Sequence, residues 1–133
     1  MVEPTPHVAH ERDCPEERLG DVVSWRTLVS ADRTPTQGIT MGTAEIQPGA
    51  PIEGACHRHV QPEVYFVLTG NGHVTIDDAV HPVEPGSAVF VPGSAWHFVT
   101  NTGSLPLRLV YAFAVDSFDE VIYEYRHPRP DRL

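Results

Sequence analysis

Apolar and polar residues alternate along most of the chain in short runs, and glycine or proline interrupts the runs every few residues. Val22 to Val29 is the first run, Ile39 to Gln47 the second, and a third carries His57 and His59. Glu63 to Thr69 and Gly72 to Ile76 follow, joined across Gly70-Asn71, a pair that reads as a tight hairpin. Asp77-Asp78 turns the chain into a short run ending near Val83, and Pro85-Gly86 turns it again into Ser87 to Val91. Pro92-Gly93 leads to His97, the long apolar strand Leu107 to Val115 comes next, and Phe118 to Tyr125 reads as the last strand. No stretch carries a helical period of useful length. Many short strands separated by turn residues predict an all-β sandwich or barrel.

The pattern gives a barrel over residues 20–126, an N-terminal arm over 1–19 and a tail over 127–133. The arm holds Pro4, Pro6, Pro15 and many charges without apolar period, so it is expected to be loosely ordered, draped over the barrel or a partner. His7 and His10 lie in that arm with no scaffold to hold them, and read as solvated side chains.

Length allows one domain with its own core: 133 residues need neither disulfides nor structural zinc. A formal net charge of -9 argues against nucleic acid and anionic membranes as partners. All nine positive residues are arginine, which excludes lysine Schiff-base chemistry. The two cysteines do not make a disulfide framework; Cys56 reads as a small packing residue facing away from His57. Neither a signal pattern nor a membrane-length apolar run is present, so a cytoplasmic protein is expected.

One stretch carries chemistry, Cys56-His57-Arg58-His59-Val60-Gln61-Pro62-Glu63-Val64-Tyr65. In an extended run His57 and His59 share a face. After the break at Pro62, Glu63, Tyr65 and Val67 line one face of the next strand. Two imidazoles and a carboxylate make three-quarters of a metal site, and His97 is the natural fourth ligand. Histidine and carboxylate without cysteine favour one divalent ion among iron(II), manganese, zinc, nickel and cobalt. Each ligand histidine then needs a buried acceptor for its second nitrogen. Tyr65 follows Glu63 into the interior; near a divalent cation its phenol becomes a usable general base. Tyr111 and Tyr123 are further residues able to reach the pocket. Trp96 is expected on the opposite face from His97, in a wall or a dimer contact, and Asn101 as a turn residue. His73 and His81 are expected at the surface.

Residues 57 to 70 read His-x-His-x-x-x-Glu-x-x-x-x-x-x-Gly and resemble the first cupin motif. Gly86, Pro92, His97 and Asn101 resemble the second. The resemblance implies a jelly-roll barrel (a double-stranded β-helix) with His57, His59, Glu63 and His97 as metal ligands. Two positions depart from it: Pro51 and Ser94 stand where the motifs carry glycine. Trp25-Arg26-x-Leu28, Ala44-Glu45-Ile46, Glu63-x-Tyr65 and Phe118-x-Glu120-Val121-x-Tyr123 resemble the small cupin lyases that cleave dimethylsulfoniopropionate. That likeness implies a small carboxylate substrate, Tyr65 as the base and Tyr123 as a catalytic pocket residue. A dioxygenase using iron(II) and oxygen at the same ligands, and a non-catalytic small-ligand or metal-binding module, are the alternatives. Open sheet edges and outward aromatics lead us to expect a homodimer.

Overall fold

The computed structural model describes residues 3–49 and 55–127. Eleven strands run in chain order: β1 Glu17–Leu19, β2 Val23–Val29, β3 Thr40–Ile46, β4 His57–Arg58, β5 Glu63–Thr69 and β6 Gly72–Ile76. β7 Ala79–Val83, β8 Ala88–Val91, β9 His97–Asn101, β10 Leu107–Phe113 and β11 Glu124–Tyr125 complete them. Single 3₁₀ turns span Glu11–Asp13 and Phe118–Glu120. The strands form two antiparallel sheets, β1-β2-β3-β10-β5-β8 and β11-β4-β9-β6-β7, and their inner faces enclose the core. This is an all-β jelly roll, in agreement with the barrel the pattern predicted and the jelly roll the motif resemblance implied.

Alternation decides which side chains enter. In β5 Glu63, Tyr65 and Val67 point inward while Val64, Phe66 and Leu68 face out. β10 sends in Leu107, Leu109, Tyr111 and Phe113, pairing with β3 on one side and β5 on the other. Gly42 makes room at that seam, because a Cβ there would lie 2.5 Å from the Tyr111 hydroxyl. That hydroxyl shares a hydrogen bond of 2.8 Å with Thr27 Oγ1.

Two expectations need correction. Gly70-Asn71 is not a hairpin: β5 and β6 belong to different sheets, and the turn carries the chain across the barrel. Gly70 is required there by a φ of +87° and by the Leu107 backbone, which a Cβ would meet at 2.7 Å. The hairpin lies one turn later, where Asp77 and Asp78 both adopt positive φ between β6 and β7. Phe118 to Tyr125 is not one strand either. Glu120 accepts a hydrogen bond from the Ser117 backbone and winds Phe118–Glu120 into a 3₁₀ turn. Only Glu124 and Tyr125 then pair, with Arg58 and His57.

The arm lies on the barrel. β1 adds to the edge of β2, and Arg108 and Thr43 both bind the Glu11 carboxylate. Arg26 donates to the backbone carbonyls of Glu11 and Cys14. His10 caps the first 3₁₀ turn through Nδ1, and His7 is exposed. Both cysteines are free. Trp96 sits under the Arg58 guanidinium, 4.3 Å from the ring centroid, on the face opposite His97. Asn101 ends β9 and clamps the following turn, donating to the Ile46 and Leu105 carbonyls and accepting from Gly103. His81 is exposed and His73 half-buried.

Candidate metal centre

Two imidazoles come from one sheet, a third from the loop that follows its strand β4, and the carboxylate from the other sheet. His57 on β4 is directly opposite His97 on β9. His59 lies just past the end of β4, outside any strand, yet its ring is 5.0 Å from that of His97. Glu63 opens β5 and reaches across the barrel, its Oε1 3.2 Å from His97 Nε2 and 3.3 Å from His59 Nε2. One ligand atom from each of the four residues lies within 4.8 Å of every other. The structure thus brings together all four residues expected to bind metal.

The loops hold this arrangement through tight turns. Gly93 passes so close to the Val60 carbonyl that a Cβ would stand 2.4 Å from it. Ser94 has a φ of +65°, the left-handed conformation that favours glycine, and its N–H donates to the His59 carbonyl at 2.7 Å. Serine in place of glycine therefore strains the turn without displacing the histidine. Pro51, the other departure, lies outside the described residues.

Hydrogen bonding tests whether the residues fit a cation. Nδ1 of His57, His59 and His97 faces the carbonyl of Ala55, Gln61 and Ala95, at 2.7, 2.8 and 2.9 Å. A carbonyl only accepts, so each Nδ1 carries the proton and each neutral ring turns a bare Nε2 lone pair inward. Those lone pairs meet one another and a carboxylate oxygen, which is acceptor against acceptor. His59 Nε2 is buried with no hydrogen-bond partner. Protonating His57 is opposed: burial first, and the neighbouring His97 second, push it down to about 3. Ionised carboxylate plus three convergent lone pairs is a divalent-cation donor set, and the carbonyls are the outer partners such ligands need.

The centre opens into a cavity of about 480 Å³, faced by His57 and Glu63. Tyr65 and Tyr123 both line it. The Tyr123 ring stacks on His57 with centroids 4.7 Å apart, and Tyr65 lies 6.3 Å from His97. Burial, and after it the Glu63 charge, raise both phenols well above their ordinary value. Sequence reasoning left the place of Tyr111 open; it lines the same cavity. The contribution of Phe118 and Val121 was missed with the 3₁₀ turn; their spacing of three followed by Tyr123 two further on was the available signal.

A barrel of two antiparallel sheets with a histidine-carboxylate cluster inside is a cupin architecture, and the cupin domain family matches residues 42–113. The chain belongs to the cupin family. Its relatives include the dimethylsulfoniopropionate lyase DddW of Ruegeria pomeroyi, 39% identical over 103 residues. That match covers 77% of this chain and 66% of the lyase, just under two thirds of the relative's length. Protein SchB of Streptomyces halstedii is 33% identical over 113 residues, covering 84% of this chain and 79% of SchB. Among solved structures, the polyketide cyclase RemF of Streptomyces resistomycificus superposes with a TM-score of 0.73 at 18% identity, covering 96% of this chain and 89% of RemF. At that identity the likeness shows the fold.

Proposed function

We propose that this cupin is a metal-dependent lyase that cleaves a small carboxylate bearing a leaving group beta to the acid, with dimethylsulfoniopropionate the first substrate to test. The observation that carries the reading is the juxtaposition of the His57-His59-Glu63-His97 cluster with Tyr65 and Tyr123 in one cavity. The 39% identity to a lyase of that substrate supports it. A divalent ion at the cluster would supply a Lewis acid for the substrate carboxylate and positive charge that lowers the neighbouring phenol.

Tyr65 takes the proton from the carbon beside the carboxylate. The C–H electron pair becomes the carbon-carbon double bond, and dimethyl sulfide departs with the electrons of its bond to carbon, leaving acrylate. In the metal-loaded protein, where the cation offsets burial and the Glu63 charge, Tyr65 begins the cycle as phenolate and ends it protonated, then returns the proton to solvent. Tyr123, stacked on His57, closes the cavity over the reacting atoms and helps exclude water.

The test is Tyr65→Phe, which removes one hydroxyl and touches no proposed ligand. Loss of a general base costs on the order of a hundred- to ten-thousandfold in rate, with metal content unchanged. His97→Ala lowers metal occupancy and activity together. Full turnover in Tyr65→Phe at full metal content would defeat the lyase reading.

We also propose that the protein is a homodimer in the cytoplasm. The exposed apolar residues Val64 and Phe66 on β5 and Phe90 on β8 lie side by side on the outer face of one sheet and give a second copy a surface to cover.

A further inference from the structure

We infer that the cavity is built for a carboxylate carrying an apolar, ring-sized body, larger than the small acids of the lyase reading on which this inference rests. Size is the first argument. Cavities of about 300–1,000 Å³ take drug-sized ligands, and this one holds about 480 Å³. At about 30 Å³ per water that is the room of roughly sixteen waters. Dimethylsulfoniopropionate, with so few non-hydrogen atoms, leaves more than half of it to solvent.

The lining is the second argument. Beyond the metal centre the wall includes Leu19, Val23, Trp25, Ala44, Leu109 and Phe118, aliphatic carbon with two aromatic rings. Water filling that part of the cavity would lie against carbon, which favours replacement by an apolar group. Charge is the third. No described lining residue is an arginine, and the sequence has no lysine. The arginines on β2 and β10 are committed elsewhere, Arg26 to the Glu11 and Cys14 carbonyls and Arg108 to the Glu11 carboxylate, and Arg33, whose charge is felt at Tyr111, pairs with Glu17 and Asp32. A second anionic group on the ligand would find no counter-charge. That wall selects against dicarboxylates, phosphates and phosphorylated thioesters, which would have only tyrosine hydroxyls to meet a second charge. One carboxylate at the metal centre and an uncharged or onium-bearing aromatic body along Trp25 and Phe118 satisfies every surface.

The wall also has a place where size is set. Ala44 on β3 faces the cavity opposite Trp25 on β2. Its single methyl leaves the space that a larger residue would take.

The experiment uses the metal-loaded full chain and two readouts. Propionate and 3-phenylpropionate are titrated calorimetrically and by Trp25 fluorescence in a Trp96→Phe background. Turnover is measured for dimethylsulfoniopropionate and for its analogue with benzyl in place of one methyl, which releases benzyl methyl sulfide and acrylate by the same elimination. We expect 3-phenylpropionate to bind at least tenfold tighter than propionate, and the benzyl analogue to have the higher kcat/KM. Ala44→Leu, verified as folded by circular dichroism, should erase the tenfold advantage. Equal or weaker binding of the phenyl acid overturns the inference, as does an advantage that survives in Ala44→Leu. Tighter phenyl binding with neither sulfonium compound turned over upholds the inference and sinks the lyase reading. Efficient turnover confined to dimethylsulfoniopropionate upholds the lyase and overturns the inference.

Discussion

Replacing Glu63 by glutamine changes one oxygen to an amide nitrogen, and its effect on stability should be favourable without metal and fall by about 2.3 kcal/mol with it. In the metal-free protein Glu63 Oε1 stands 3.2 and 3.3 Å from the Nε2 atoms of His97 and His59. With every Nδ1 spent on a backbone carbonyl, these are acceptors facing acceptors. The introduced amide has two N–H donors to offer them. Leaving a buried polar group unsatisfied costs about 1–3 kcal/mol, so Glu63→Gln should stabilise the metal-free protein by about that much. For a chain of this length 1 kcal/mol moves Tm by roughly 4 °C, giving a rise of about 4–12 °C. Metal takes about 2.3 kcal/mol from that advantage, which reverses the order wherever the metal-free gain is smaller. A cation at a hundred times its Kd stabilises the wild type by about 2.7 kcal/mol, and at one Kd by only about 0.4 kcal/mol. Losing the anionic ligand should weaken binding by at least about a hundredfold. The variant therefore gains almost nothing where the wild type gains roughly 11 °C. The assay is thermal unfolding at pH 8.5, in chelator and in a fixed excess of zinc or manganese. Were Glu63→Gln less stable than wild type in chelator, the Nε2 atoms would be carrying protons to Glu63. The cluster would then be a finished ion-pair network, and the case for a cation would fall.

His57, pushed down to about 3 against an ordinary 6.5, holds fewer protons folded than unfolded between those values. Metal-free stability should therefore fall as pH drops through that window, by up to about 1.4 kcal/mol per unit, measurable by denaturant titration at pH 7, 6 and 5. Ser94→Gly relieves a left-handed backbone and should add about 0.5–1 kcal/mol, seen as a higher Tm at unchanged metal content. Phe66→Asp combined with Phe90→Asp should leave a species of 14.7 kDa in sedimentation, where the parent runs at twice that mass; a monomeric parent rejects the dimer.

The cluster of His57, His59, Glu63 and His97 was legible because its spacing survives folding. Glu63, Tyr65 and Val67 enter the barrel as alternation requires, and β5 and β6 fall where the pattern puts them. Strand pairing was less legible. Gly70 supplies the positive φ of a hairpin, but a crossover between sheets needs the same conformation, and only the partners β10 and β9 distinguish them. The final strand failed for a similar reason: Phe118, Val121 and Tyr123 all face inward, and a local Ser117-Glu120 hydrogen bond overrides strand propensity. His59 reaches the centre from outside a strand, so its agreement with the expected face owes more to the loop held by Ser94 than to alternation. The carbonyls of Ala55, Gln61 and Ala95 were invisible, since every residue has one and only the fold selects which is used.

Those three carbonyls also bear on why the cluster exists. A barrel interior of valine, leucine and aromatic rings would be more stable with apolar residues at positions 57, 59, 63 and 97, because buried ionisable groups cost free energy unless fully satisfied. Had the cluster served stability alone, the imidazoles would be free to rotate and donate Nε2–H to Glu63. The backbone instead fixes each proton on the far nitrogen and turns every lone pair toward one point. Such an arrangement is unfavourable until a cation occupies that point, and it is set at the wall of a cavity whose remaining surface is apolar. Stability given up at one place, with the geometry held by main-chain atoms that side-chain substitution does not remove, is what the proposed metal centre requires and what a purely structural cluster would not.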